Sequence, residues 1–265
     1  MNKKYLIGIV SFMLLFSCQN ESECDTCAED LISESVDTDF EIDSSKELEK
    51  EEVKIVDTSD LEHYLIEKGL MNVQSLAPEI MVDLKYASID NFLGINLYGD
   101  IQNAYLQPDI AERLAKVQDY LNEEYPNLKL YIFDAVRPVS VQHKMWVALD
   151  SIPINERVKY VSNPKNHSIH NYGAAIDLSL YDTIKDTLLD MGAGFDDFHV
   201  RAYPSKEKEM LEKGVLTSSH IENRELLRKV MKIGGFWVLP SEWWHFNGVN
   251  REEAKKKYEV VEFED

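Results

Sequence analysis

Two short stretches far apart in the chain place the strongest constraint on its fold, because together they carry the side chains of one metal site. The first contains His170 and Asp177, and the second contains Glu242 and His245. Two imidazoles and a carboxylate are typical ligands of catalytic zinc, which leaves a fourth position to water. We therefore expect His170, Asp177 and His245 to meet around one zinc ion per chain.

Glu242 lies three residues before the last of these ligands, where it can act as a general base without binding the metal. Gly173 suits a tight turn between the first two ligands. Taken singly, each motif also fits a surface histidine or a core tryptophan pair, and it is their co-occurrence that favours a site. His167 has a possible ligand spacing to His170, but we interpret it as a neighbour.

The first 18 residues have the pattern of an export signal. Lys3 and Lys4 precede an apolar run over residues 5–16 that ends at Ser17 and Cys18. This run is shorter than the roughly 20 residues of a membrane-spanning helix. The pattern predicts a lipoprotein signal over residues 1–18, with Cys18 lipidated and anchoring an exported protein to a bacterial membrane; a secretory signal cleaved nearby is the alternative.

Residues 19–57 are predicted to be an acidic, disordered tether. Residues 19–52 hold 14 Asp or Glu and two Lys, out of a formal net charge of −20 for the chain. Such a segment buries too little apolar surface to fold. Cys24 and Cys27 lie within it as an incidental pair. Residues 58–265 form the predicted catalytic domain, and their lack of a basic stripe argues against nucleic-acid binding.

The apolar pattern of the domain alternates between helices and strands. Ile110, Leu114, Val117 and Leu121 recur at helical spacing and predict a helix over residues 108–125. Further helices are predicted over residues 139–149 and 217–233, strands over residues 80–86, 128–133, 174–180 and 236–239, the last delivering Glu242 and His245, and a solvated tail over residues 251–265. Pro138 favours an extended Arg137, whose guanidinium can then project from a strand end.

Five motifs occur in the order of a known family: Lys85-Tyr86-Ala87 with Asp90-Asn91-Phe92, Asp134-Ala135 with Arg137-Pro138, the stretch over residues 168–177, Met191-Gly192 with Phe195-Asp196, and Glu242-Trp243-Trp244-His245. Over most of residues 75–248 the chain resembles the D-alanyl-D-alanine dipeptidases. The resemblance implies the hedgehog/D,D-peptidase-like fold, an α+β architecture with a central, mainly antiparallel sheet flanked by helices.

The resemblance also implies roles for single residues. It makes His170, Asp177 and His245 the zinc ligands and Glu242 the general base. Arg137 matches the arginine that stabilises the oxyanion; a structural ion pair with Asp134 is the alternative. Tyr86 and Asp196 match positions that hold the substrate's ammonium group, and Ser168 matches one near its carboxylate.

The implied activity is zinc-dependent hydrolysis of D-Ala-D-Ala and related dipeptides during cell-wall peptide turnover. One alternative is a D,D-carboxypeptidase with an open cleft that acts on longer wall peptides. Another is a metal-binding or wall-binding lipoprotein without catalysis, against which the intact Glu242 and Arg137 argue. The sequence makes no prediction of oligomeric state.

Overall fold

A computed structural model of the protein describes residues 59–264. The predicted signal with Cys18, over residues 1–18, and the predicted tether, over residues 19–57, lie outside the described residues and remain predictions. Within residues 59–264, no helix combines the length and the apolar character that crossing a membrane requires.

Helices and strands alternate along these residues. The helices are α1 Asp60–Glu67, α2 Pro108–Glu124, α3 Val139–Ala148, α4 Glu207–Glu212, α5 Ser218–Ile233 and α6 Arg251–Lys257. The strands are β1 Met71–Asn72, β2 Met81–Val82, β3 Tyr105–Leu106, β4 Leu128–Asp134, β5 Ala175–Asp182, β6 Thr187–Leu188, β7 Trp237–Leu239 and β8 Glu242–Asn247.

The main sheet has the strand order β2-β4-β5-β8-β7, and β6 pairs with the end of β5. The pairings β4–β5, β5–β6, β5–β8 and β7–β8 are antiparallel, whereas β2–β4 is parallel. β1 and β3 form a separate antiparallel pair. The predicted central, mainly antiparallel sheet is thus confirmed.

The central strand β5 brings the site together. Its register sets Asp177 opposite Asp134 on β4 and opposite His245 on β8. Nearly every β5 residue is buried, which is typical of a strand covered on both faces. Asp177 therefore lies inside the protein, between two strands that carry other site residues.

Two long helices pack on each other and cover the sheet. α2 contacts α5 and β4, and α5 contacts β7. The four α2 residues expected to be buried are fully buried: Ile110, Leu114, Val117 and Leu121. Burial of each such side chain stabilises the folded state by roughly 1.5–3 kcal/mol. Both helices begin and end within one residue of the predicted bounds, and the Thr217 side chain caps the start of α5.

The predicted strand over residues 80–86 is mostly wrong. Only Met81–Val82 pairs with β4, and Lys85–Ala87 forms a 3-10 turn. The reason is a local turn: the carbonyl of Tyr86 accepts hydrogen bonds from the backbone N–H groups of Leu97 and Tyr98, at 2.8 and 3.1 Å, instead of from a strand. The turn directs the Tyr86 ring into the interior, where it is 3 % exposed.

Two expectations near the C-terminus also need correction. The strand over residues 236–239 does not itself deliver the site residues; it turns back at Pro240 and Ser241 into β8, which carries Glu242 and His245. The predicted solvated tail contains α6 and the buried Val261. Val261 exchanges backbone hydrogen bonds with Asn171 and Val139, which fix it against the site turn.

Candidate metal centre and active site

Three side-chain atoms converge at the predicted metal site. His170 Nε2 lies 3.1 Å from His245 Nδ1 and 3.3 Å from Asp177 Oδ1, and the latter two atoms are 3.0 Å apart. Zinc bonds of the usual length place tetrahedral ligands about 3.3–3.4 Å from one another. The three residues are buried and form a group that can hold a metal ion.

Hydrogen bonds orient both imidazoles towards the same point. His170 Nδ1 lies 2.6 Å from the carbonyl oxygen of Ala135, and His245 Nε2 lies 3.0 Å from Asn247 Oδ1. Because an oxygen acceptor fixes the N–H on that side of each ring, the opposite nitrogen presents a lone pair. Two lone pairs and a carboxylate oxygen that converge on one point repel each other unless a proton or a metal ion lies between them, so the residues present fit a metal ion.

The charges of the cluster favour a cation as well. Burial lowers the pKa of His245, but the hydrogen bond and the charge of Asp177 outweigh burial and raise that pKa to about 9. Burial raises the pKa of Asp177, yet His170 and His245 together hold it well below its usual value. The site thus stabilises positive charge in a buried position.

A capped turn presents His170. The side chain of Ser168 accepts a hydrogen bond from the backbone N–H of His170, and the side chain of Asn171 accepts one from the N–H of Ser168. Gly173 ends the turn with φ +64, and a Cβ there would lie 3.0 Å from Leu70 Cδ2. The expectation of a glycine-dependent turn between the ligands is confirmed.

Glu242 lies beside the cluster without joining it. Its Oε2 is 3.8 Å from His245 Nδ1, and its side chain is 27 % exposed. Burial raises the pKa of Glu242, and the positive neighbour His245 counteracts that effect in part. A carboxylate in this position can exchange a proton with a molecule in the cavity.

Arg137 is fixed by Asp134 and lies close to the three residues of the predicted metal site. It forms a buried ion pair with Asp134, and its Nη2 lies 3.7 Å from Asp177 Oδ2. Burial lowers the pKa of Arg137, but Asp134 together with Tyr86, Tyr98 and Asp177 outweighs burial and keeps the guanidinium charged. The ion pair considered as an alternative is therefore present, and it orients the guanidinium without removing it from the cavity.

The residues expected to contact substrate line the same cavity. Tyr86 Oη donates a hydrogen bond to Asp196 Oδ2 at 2.9 Å, and the Arg137 guanidinium carbon lies 5.2 Å from the centre of the Tyr86 ring. Burial raises the pKa of Asp196 well above its usual value, although the Tyr86 hydrogen bond lowers it. Asp196 has φ +57, a conformation that non-glycine residues adopt at a cost.

Asp197 and His167 are sequence neighbours of site residues, but they make their contacts elsewhere. Asp197 bonds to His199 and Arg201 instead of lying against Tyr86. His167 Nδ1 lies 3.4 Å from the hydroxyl of Tyr172 and is not part of the metal-binding group. The cavity itself measures ≈ 130 Å³, and Ser168, Tyr160 and Phe198 also line it.

Comparison with known proteins identifies the family. The sequence profile described as D-ala-D-ala dipeptidase matches residues 66–263. The chain belongs to this family. A D-alanyl-D-alanine dipeptidase of Escherichia coli K12 is 34 % identical over 177 residues, which cover 67 % of this chain and 83 % of that protein. One from Enterococcus faecalis is 28 % identical, covering 68 % of this chain and 92 % of the relative.

Likeness to solved structures is lower. The LdcB LD-carboxypeptidase aligns with a TM-score of 0.37 at 16 % identity, over 60 % of this chain and 65 % of that chain. The vancomycin-resistance D,D-pentapeptidase VanY, in complex with Zn(II), aligns with a TM-score of 0.31 at 14 % identity, over 58 % and 79 % of the two chains.

The sequence did not predict the hydrogen-bond partners that orient the site residues. Asn247 was overlooked, although it lies two residues after His245 and therefore on the same face of β8. The carbonyl of Ala135 carries no side-chain signal at all. The anchors of the Asp196 loop were also missed: Asn223 Nδ2 bonds to the carbonyl of Asp190, and Arg224 bonds to the carbonyls of Met191 and Arg201.

Proposed function

We propose that this chain is a zinc-dependent dipeptidase that hydrolyses D-Ala-D-Ala, and related D,D- or X-D-Ala dipeptides, to free amino acids. One observation carries the proposal: a single cavity contains a three-residue metal-binding group, a partly exposed Glu242 and a half-buried Asp196 that accepts a hydrogen bond from Tyr86. The cavity of ≈ 130 Å³ is smaller than typical ligand pockets of about 300–1,000 Å³, which favours a small substrate. The names of the relatives support the same substrate.

Asp196 would bind the ammonium group of the dipeptide. Its side chain is half-buried, and among residues 59–264 its hydrogen-bonded partner is the neutral Tyr86. A substrate ammonium would supply the missing positive charge. An N-blocked peptide leaves the half-buried carboxyl group without that partner, at a cost of roughly 1–3 kcal/mol, so free dipeptides are preferred.

His170, Asp177 and His245 would hold one zinc ion per chain. When bound, zinc polarises a carbonyl group and lowers the pKa of water to roughly 7. Glu242 accepts a proton from the attacking water and returns it to the leaving amine. Arg137, fixed by Asp134, donates to the oxygen on which negative charge develops; one such donor contributes roughly 3–4 kcal/mol.

Release of D-alanine from D-Ala-D-Ala by the purified full-length chain with zinc tests the proposal. Turnover of the free dipeptide, with much slower turnover of N-acetyl-D-Ala-D-Ala, is the expected result. Cleavage of longer or blocked wall peptides, without cleavage of the dipeptide, would identify a D,D-carboxypeptidase. Zinc binding without turnover of any of these substrates would identify a binding protein.

The proposed setting is wall-peptide turnover outside the cytoplasm, with a lipid on Cys18 as the membrane anchor. It rests on the signal pattern and the acidic tether of the sequence. Incorporation of labelled palmitate into the expressed chain, and its absence from the Cys18→Ser variant, are the expected results. Recovery of an unlipidated protein in the cytosol would contradict this setting.

A further inference from the structure

Arg251 lines the cavity without an acidic partner. It opens α6, and its Nη1 donates hydrogen bonds to the carbonyl oxygens of Asn166 and His167, at 2.7 and 2.8 Å. Within residues 59–264, none of its described contacts is to a carboxylate. The chain carries 48 acidic and 28 basic residues, so an arginine in an acidic protein that stays unpaired at a cavity wall calls for an explanation.

Helix stability does not explain this arginine. A cation in the first turn of a helix faces the positive end of the helix dipole, which disfavours it. The acidic neighbour Glu253 is used differently, because its carboxylate accepts a hydrogen bond from the N–H of the capping residue Asn250. Arg251 thus breaks a local rule, as residues at functional sites do.

The contacts of Arg251 place it beside Ser168. His167, whose carbonyl Arg251 holds, has φ +52 and directly precedes Ser168 in the chain. Ser168 Oγ accepts from the backbone N–H of His170, so its own O–H is free to donate into the cavity. Arg251 uses one of its three guanidinium nitrogens on carbonyls. A hydroxyl and a guanidinium at one wall are the donors that suit a carboxylate.

The charges around the cavity favour the same ligand group. Its acidic side chains are Asp177, Asp196 and Glu242, and its guanidinium groups are Arg137 and Arg251. Arg137 is already paired with Asp134. An anionic group entering the cavity therefore meets Arg251 as the arginine whose charge is not yet paired.

We infer that Arg251 binds the terminal carboxylate of the substrate and, with Ser168, restricts the enzyme to peptides with a free C-terminus. The inference rests on the proposed function. Asp196 and Arg251 come from different segments of the chain, so each charged end of a dipeptide has its own recognition residue. A blocked C-terminus removes the charge that Arg251 recognises.

Kinetics on two substrates test the inference: D-Ala-D-Ala and its C-terminal carboxamide. In the full-length chain, Arg251→Gln should raise KM for the free dipeptide roughly 10- to 100-fold, because it removes a charge-assisted hydrogen bond, and should change kcat less. Turnover of the carboxamide should stay unchanged. Arg251→Lys, which keeps the charge, should recover part of the loss. Lys256→Gln on the same helix is the matched control for charge.

The glutamine side chain of the Arg251→Gln variant can still donate to the two carbonyls, and any loss of structure affects both substrates alike. An equal loss on both substrates, or an unchanged ratio of their kcat/KM values, would overturn the inference. If Arg251→Gln does not fold, Arg251→Lys decides, and its failure to shift the ratio would overturn the inference too. Absence of D-Ala-D-Ala hydrolysis by the wild type would contradict the proposed function itself, which separates the two failures.

Discussion

At the scale of single residues, the buried carboxylate of Asp177 links the stability of the fold to metal binding. A carboxylate that is 3 % exposed on a central strand is costly unless positive groups surround it. His170 and His245 approach Asp177 Oδ1, and Arg137 approaches Oδ2. The negative charge of Asp177 is thus offset by positive groups around it, and a metal ion held by His170, Asp177 and His245 would offset it further. The buried charge that is costly for the fold is therefore also the charge that favours a bound cation.

The Glu242→Gln variant distinguishes the proposed general base from the proposed zinc ligands. Glutamine keeps the size of the side chain but cannot accept a proton, so kcat should fall by roughly 10²- to 10⁴-fold. Zinc should remain at one equivalent per chain, because Glu242 is not part of the metal-binding group. Elemental analysis after dialysis measures the zinc, and Glu225→Gln on α5 is the control. Loss of zinc in the Glu242 variant would make it a ligand and contradict the assignment.

At the scale of elements, α5 holds the loop that carries Asp196. Arg224 is 1 % exposed, and it donates from Nε to the carbonyl of Met191 at 2.7 Å and from Nη2 to the carbonyl of Arg201 at 2.9 Å. These carbonyls lie on either side of Asp196 in the chain. Asn223, next to Arg224 on the same helix, holds the carbonyl of Asp190 at 2.8 Å. The loop is thus fixed by side chains of a helix.

Arg224→Leu should lower the free energy of unfolding by roughly 2–5 kcal/mol, because it leaves the buried carbonyl of Met191 and the partly buried carbonyl of Arg201 without their donor. Urea denaturation measures the change. Arg228→Leu on the next turn is the control: Arg228 is 26 % exposed and pairs with Glu207, so its loss should cost about 1 kcal/mol or less. Equal costs for the two variants would contradict the anchoring role of Arg224.

Asp109 connects α2 to α6 and gives the domain a dependence on pH. Burial raises the pKa of Asp109, but hydrogen bonds from Lys257 and Tyr258 outweigh burial and lower it below 3.8. A carboxyl group with a lowered pKa stabilises the fold above its ordinary pKa and loses that contribution as the pH falls through the lowered value.

Asp109→Asn should therefore reduce the free energy of unfolding at pH 7 by about 1 kcal/mol or less. The difference from the wild type should shrink as the pH falls below 3.8. Urea titrations at several pH values measure it. A difference that stays constant down to acid pH would show that the pair contributes through packing and not through charge.

At the scale of the whole molecule, what was predictable depended on local patterns. α2, α5, β4 and β5 follow from the spacing of their apolar residues, and the metal-binding group follows from two motifs. The hairpin of β7 and β8 was not predicted. Pro240 lies in the turn between these two strands, but a proline after a short strand is equally typical of the end of a sheet. The turn at Tyr86 and the burial of Val261 depend on partners far along the chain, which a local pattern does not contain.

Removal of the proposed metal ion tests how far it stabilises the whole domain. The proposed ligands come from β5, β8 and the turn before β5, so a bound ion connects three parts of the fold, whereas the core is built by apolar residues elsewhere. Chelation should abolish activity and leave the helices and strands formed at 25 °C. It should also lower Tm, since a ligand present at 100 times its Kd stabilises the native state by roughly 2.7 kcal/mol.

For a domain of this size that loss corresponds to a fall in Tm of roughly 5–10 °C. Calorimetry of the chelated chain, before and after zinc is restored, measures it, and activity should return together with Tm. Asp177→Asn lacks one ligand and should show little zinc-dependent rise. A rise as large as that of the wild type would place the stabilising ion elsewhere in the chain, because Asp177 is the one carboxylate among the three converging residues.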